Sequence, residues 1–556
     1  MELTLVIRLG IAALILGGYL LRAPIMRQIR KRRYTRGRKL ETTSNATVSS
    51  RKSTKSDLLW GNRYLPNRAA TQHFLVAGTT GSGKSLVQKR LLASPLRQIG
   101  VQRDSRALIF DAKGDTTAYL QKLGVTCPVL SLNPFESRIT LPQAVVWDIA
   151  KDITSPARAQ NLATSLIPAD KSGANQYFTD AARQVVIAVI ESFIRHSGDS
   201  WEFSDLIFGT LCKQRISQIL LRDSQGEETF RGFFGDERTG YAVFTSIVSK
   251  MSYYRTVAAL WQRNSIKLSL RQWLNSESIL LLGSNATAKT SLDAINEQIF
   301  RVVTEEIDIQ SNSSQRRTWI WIDEARLSGA LLKSDLLPYL AVKGRSRGVA
   351  LVLAFQDMEG FREAAGVRIA NELVAQCSHK ALLRMESEES SSWASKVVGQ
   401  FETLESFRSD SANGLAGNIS EQRVQRDVVI ASEFYEIPVT TKEHGLSGYF
   451  LSPETGVIRT TISGQELERV VTDELSEIQY AIPNRPEAEQ WIKGWEPSDF
   501  QRLGLEMAAL PDQRPSKRIR LKRDRMRAAE TPVASQAVEV NRHSDSLTLP
   551  NPGTLG

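Results

Sequence analysis

The sequence predicts an α/β fold interrupted by an all-α insertion and preceded by a single transmembrane helix, and three observations predict it. Short apolar runs alternate with helix-compatible stretches over residues 60–156 and again over 268–470. Between 157 and 267 the alternation gives way to apolar residues at helical spacing, as in Asp180–Ile194. At the start of the chain, Leu3–Leu21 is a run of 19 residues, apolar except for Thr4 and Arg8.

The elements follow in chain order. A span of about 20 apolar residues is needed to cross a hydrocarbon core of ~30 Å, and Arg8 lies near one end, where its side chain can reach the headgroups. Residues 22–39 then hold nine Arg and Lys and no acid. Positive charge prefers the cytoplasmic side, so residues 1–25 are expected to anchor the chain in the inner membrane, single-pass, with its bulk in the cytoplasm. A cleaved signal peptide would carry its basic residues ahead of the apolar run instead of behind it. Residues 26–59 read as a basic and polar linker, with 41–56 a Ser/Thr-rich flexible tether. Buried strands are expected at His73–Ala77, Ala107–Asp111, Trp319–Asp323 and Val349–Phe355. Residues 471–556 form a C-terminal extension, largely disordered after about 512, where periodicity vanishes.

Charge is informative only once it is located. The chain carries +11, but removing the +9 of residues 22–39 and the +7 of residues 514–527 leaves the rest at −5. Positive charge therefore sits in the flanks and does not by itself point to a nucleic acid held by the core. Cys127, Cys212 and Cys377 lie far apart, which excludes a disulfide framework or a Cys-based zinc site and suits a reducing compartment.

The chemistry enters with Gly78-Thr79-Thr80-Gly81-Ser82-Gly83-Lys84-Ser85, which satisfies the phosphate-loop pattern between an apolar strand and a helix-compatible run. Glycines let the backbone turn several N–H groups toward one anion, and the new helix adds its positive end. Lys84 can reach the outer phosphates of ATP, and Ser85 can place its hydroxyl on Mg²⁺. A chance glycine-rich turn would not carry both correct flanks. The fold is thus expected to be a P-loop (RecA-like) nucleotide-binding domain.

Such a loop needs a carboxylate for the metal shell and another for water. Trp319-Ile320-Trp321-Ile322-Asp323-Glu324 supplies both at a strand's end: Asp323 to hold Mg²⁺, Glu324 to act as general base. Seen alone, paired acids after a strand are also ordinary helix N-terminal charge. A further strand, Val349–Phe355, closes on Gln356, a candidate γ-phosphate sensor or simply a polar strand terminus. Before it, Lys343-Gly344-Arg345-Ser346-Arg347-Gly348 is a basic loop, by default only solvated.

With these residues in place, the chain resembles the TraD/TrwB family of type IV coupling proteins, a branch of the FtsK/HerA-like motor ATPases, over roughly residues 60–470. HFLVAGTTGSGKS is followed by RALIFDAKGD (Arg106–Asp115), LSLNPFESR (Leu130–Arg138) and Trp147, then by Ala174–Ala188 with Phe178, Ala182 and Arg183. LSLRQWL (Leu268–Leu274), WIWIDEARLSG, GRSRG, AFQD, Ala370–Gly399 and SEFYEIP (Ser432–Pro438) continue the likeness in order. The resemblance implies a homohexameric ring with ATP between subunits, DNA in a central pore, and partners in the relaxase complex and the type IV secretion channel. It implies Arg345 as a finger acting on a neighbour's nucleotide and Gln356 as the γ-phosphate sensor. One departure stands: relatives usually carry two transmembrane helices, and this chain shows one. A segregation or packaging motor of the FtsK/HerA type, or a docking platform that hydrolyses little ATP, are the alternative readings.

Overall fold

A computed structural model describes residues 33–43, 58–101, 103–136, 142–169, 176–409, 418–468 and 486–507. The expected membrane anchor, most of the linker and the tail after 512 lie outside the described residues. Among the described residues no helix is long and apolar enough to cross a membrane.

The core is a sheet of 11 strands. Its parallel centre runs, from neighbour to neighbour, His379–Leu382, Phe74–Ala77, Val349–Phe355, Arg317–Ile322, Ser105–Asp111, Ile279–Gly283 and Val129–Ser131. Each expected strand is present, with Val349–Phe355 matching residue for residue. These strands read as unbroken apolar runs because both faces are covered: every residue of Phe74–Ala77 and of Val349–Phe355 is buried. Two core clusters flank the sheet. Side chains alternate between them along each strand, so Leu351 and Leu353 face one cluster while Val352 and Ala354 face the other.

The helical insertion comprises Pro156–Leu166, Gln176–Ser197, Phe203–Thr210, Lys213–Leu220, Ser224–Phe234, Glu237–Met251 and Arg255–Trp261. Its two connections to the sheet domain are tied together. Val146–Trp147 pairs in parallel with Lys267–Leu268. Asp152, fully buried, accepts hydrogen bonds from Trp147 Nε1 (2.8 Å), Ser269 Oγ (2.7 Å) and Leu270 N (2.8 Å). A carboxylate is the one side chain able to accept that many donors at once.

One expectation needs correction. The tether expected from residue 41 begins as structure: Leu40–Thr43 is the edge strand of the large sheet, paired in parallel with Gly456–Ile462. Just before it, Arg33–Gly37 joins a hairpin made of Gln400–Ser409 and Asn418–Asp427. β-Branched threonines and a half-buried Leu40 suit an edge strand; Ser/Thr content alone does not distinguish strand from tether. Before residue 512, the C-terminal extension contributes structure. Glu487–Gln490 and Pro497–Leu503 pack on the helical insertion, where Trp495 Nε1 donates to Asp205 (2.9 Å) and Arg502 forms an ion pair with it (2.8 Å).

Candidate nucleotide site

The site is built at the C-terminal edge of the parallel strands, where open α/β sheets place their ligands. The chain leaves Phe74–Ala77, turns through Gly78–Gly83 and starts the helix Lys84–Gln98. Gly81 and Gly83 have φ of 77° and 91°, backbone that only glycine adopts without strain. A Cβ on Gly78 would lie 2.8 Å from Leu383 Cβ, and one on Gly83 would lie 2.4 Å from Leu446 Cδ1. Gly78 is therefore required by space, Gly81 by conformation and Gly83 by both. Thr80 and Gly81 are exposed at the crest, whereas Ser82 and Lys84 are buried.

Lys84 Nζ donates to Thr79 O (3.1 Å), and burial lowers its pKa against the opposing pull of Glu324. Ser85 Oγ donates to Asp323 Oδ1 at 2.9 Å, so the loop and the strand carrying the two acids meet directly. Glu324 is buried, and its Oε2 accepts from Gln356 Nε2 at 3.1 Å. Its other oxygen, Oε1, is buried with no hydrogen-bond partner among the described residues. Sequence separations of 238 and 32 residues are closed here. The structure thus brings together the loop Gly78–Ser85, Asp323, Glu324 and Gln356.

It does not bring Arg345 to them. Arg345 lies on the turn Gly344–Arg347, before the N-terminal end of Val349–Phe355, near enough to His73 to act on its charge. Gln356 follows the other end of that strand, so about 20 Å of chain, at roughly 3.3 Å per residue, separates the two. Within one copy, Arg345 is exposed on the opposite edge of the sheet from the phosphate loop.

Sequence reasoning missed three contributors. Lys113 Nζ lies 3.2 Å from Asp323 Oδ2; burial opposes its charge, but Asp323 and Glu324 outweigh burial and raise its pKa. Asp111, at the end of the neighbouring strand, is pushed up to about 6 by burial and by Asp115, and its carboxylate accepts from Gly114 N (2.9 Å) and Thr116 N (3.2 Å). The signal for both was the acid-x-Lys-Gly order at a strand's end. Thr440 had no signal: its Oγ donates to Ser82 O (2.9 Å), bracing the loop from 358 residues away.

Chemically, the arrangement offers turned backbone N–H groups and a buried ammonium to a phosphate chain, and a hydroxyl beside a carboxylate to a hard cation. An unsatisfied buried carboxylate oxygen next to them is suited to accept a proton from water.

Comparison with known proteins is consistent with this geometry. Residues 61–455, most of the chain, match the family described as type IV secretion-system coupling protein DNA-binding domain. The chain belongs to that family. This coupling protein is similar to the coupling protein TraD of Escherichia coli (strain K12), with 23% identity over 360 residues, 63% of this chain and 47% of TraD. The chain thus spans about half the length of that curated relative. Its fold is similar to the bacterial conjugative coupling protein TrwBdeltaN70 in an unbound form, with a TM-score of 0.58 and 19% identity over 78% of this chain and 94% of that one. It is also similar to the plasmid coupling protein TrwB in complex with ADP and Mg²⁺, with a TM-score of 0.55 and 19% identity over the same shares of both chains.

Proposed function

We propose that this coupling protein is a membrane-anchored ATP hydrolase that drives DNA, delivering a relaxase-bound strand to a type IV secretion channel. The observation that carries the reading is the junction of Ser85, Asp323, Glu324 and Gln356 at one strand edge. In it, the glycines Gly78, Gly81 and Gly83, with Thr79, Thr80 and Ser82, wrap the phosphates, and Lys84 neutralises their outer charge. Ser85 and Asp323 would hold Mg²⁺, which draws electron density from the phosphate oxygens when bound. Oxygen donors alone at this position fit a hard cation.

The residues' own work is then simple. Glu324 takes a proton from water at Oε1, while Gln356 holds Oε2 and so fixes the carboxylate's orientation. Lys113 holds Asp323 from the far side. Arg345 supplies positive charge to a neighbouring copy's phosphates, because it cannot reach its own. That requirement supports a closed ring of copies, a homohexamer in this reading, with residues 157–267 as a separate helical domain and 1–25 as the inner-membrane anchor.

The test is ATP turnover by the purified full chain with and without DNA. Stimulation by DNA, abolished in Lys84→Ala, is the expected result; a chain with no DNA-stimulated turnover at any salt would be a docking platform instead. Mixing Lys84→Ala with Arg345→Ala tests the shared site: each is inactive alone, and the mixture regains turnover if Arg345 acts across copies.

A further inference from the structure

Away from the nucleotide site, a cavity of about 600 Å³ opens between the edge strand Leu40–Thr43, the strand His379–Leu382 and the hairpin turn Ser452–Gly456. Three cations line it: Arg38, Lys39 and Lys380. One acid lines it, Glu41, and its carboxylate is paired with Arg63 at 3.3 Å. Arg38 is pinned in place. Its Nη1 donates to Val397 O (3.2 Å) and Val398 O (3.0 Å), the last carbonyls of the helix Glu388–Val398. Lys380 donates one proton to Cys377 O and is otherwise half-buried. Lys39 stands over the Tyr34 ring at 4.5 Å, with no carboxylate partner among the described residues.

The helix C-terminus that receives Arg38 offers about half a negative charge, and the carbonyl that receives Lys380 offers only a single dipole. Three full positive charges therefore stay under-compensated in one concave space. Burial, the dominant cause, and the nearby Arg38 both lower the pKa of Lys380, a repulsion that an anion between the two would relieve. Hydroxyls of Ser378 and Thr455 add donors, and Leu451 and Val457 give the cavity an apolar wall.

We infer that this cavity binds the phosphate headgroup of an anionic phospholipid, its cations on the phosphate and its apolar wall against the glycerol and first methylenes. Position favours lipid over other phosphates. Arg33 follows the apolar run Leu3–Leu21 by 12 residues. A fully extended chain of that length reaches at most about 43 Å, at ~3.6 Å per residue. The cavity wall is thus tethered within reach of the headgroups wherever the run crosses the bilayer. Basic residues just inside a span attract an anionic surface, and here they are organised into a pocket.

The experiment uses the full chain in a non-ionic detergent, with bound lipid counted by native mass spectrometry. Phosphatidylglycerol should be retained about tenfold more than phosphatidylcholine, and the preference should vanish in Lys39→Ala/Lys380→Gln. Because Lys380 is half-buried, the exposed single variant Lys39→Glu is measured as well and should lose most of the preference; unchanged ATP affinity shows that both variants fold. Lipid clinging to the apolar run alone would be retained regardless of headgroup. Equal retention of both lipids, or variants that fold and keep the preference, overturns the inference. So does displacement of the lipid by equimolar inorganic phosphate or by a short oligothymidylate, which would assign the cavity to free phosphate or to DNA. The readout needs no turnover, so its failure is distinct from failure of the motor reading.

Discussion

Asp152 and Glu324 are both carboxylates buried in the same unit, at 0% and 3% exposure, and they differ in what surrounds them. Asp152 spends both oxygens on donors from Trp147, Ser269 and Leu270, stitching the two connections of the helical insertion. Among the described residues Glu324 receives one donor, from Gln356, and keeps Oε1 empty-handed. A buried acceptor left unmatched costs roughly 1–3 kcal/mol, so a fold keeps it only where something else is gained. In the proposed function, equal burial with unequal satisfaction separates an acid that builds from an acid that acts.

The comparison can be broken first at the acids themselves. Glu324→Gln should cut ATP turnover by about 10²–10⁴-fold with the melting temperature nearly unchanged; a large drop in melting with modest loss of turnover would reverse the assignment. Asp152→Ala should do the opposite, costing about 3 kcal/mol of stability by stranding several buried donors. Its checks are thermal melting and the protease sensitivity of the helical insertion, with ATP affinity retained in the surviving folded fraction.

Two histidines sharpen the comparison through pH. His73 accepts from Leu351 N at Nδ1 (3.1 Å) and meets Ala341 O at Nε2 (2.8 Å); His379 meets Ser452 Oγ and Ala69 O, both at 3.1 Å. Burial, the main cause, lowers both rings from 6.5 to about 4. The folded state then binds fewer protons than the unfolded one, so stability is full above pH 6.5 and falls as pH drops toward 4, by roughly 3 kcal/mol per ring. Asp111, raised to about 6, works the other way, losing its contribution as pH rises from about 4 to 6. Two rings outweigh one carboxyl, so melting temperature should fall on acidification across this window; a flat profile would contradict it. The smallest expected effect is Gln356→Ala, about fivefold in turnover, since it removes one hydrogen bond worth about 1 kcal/mol that orients Glu324 but leaves the carboxylate itself.

Legibility in the sequence followed burial. Strands covered on both faces announce themselves as apolar runs, which is why Val349–Phe355 is readable to the residue. The phosphate loop is readable because its glycines answer a local backbone demand at Gly81 and Gly83. What could not be read is made by distance in the chain. Thr440 reaches Ser82 across 358 residues, and no local pattern marks it. Lys113 sits in an order the family resemblance quotes, yet its ion pair with Asp323 exists only because two strands pair in register. The strand Leu40–Thr43 hid behind polar residues because an edge strand asks for little burial. The edge position of Arg345 follows from topology, and only topology shows that its own phosphate loop is out of reach.

The contact between Asp205 and Arg502 also sets a timetable. The two residues lie 297 positions apart, and a ribosome adding about 5–20 residues per second takes roughly 15–60 s to make that stretch. For that interval the nascent helical insertion holds Asp205 without its cation and lacks the Trp495 indole that packs on Phe208. The last of the described turns is therefore the closing step of the chain's middle, and a ribosome stalled before residue 502 would release an insertion still waiting to be locked.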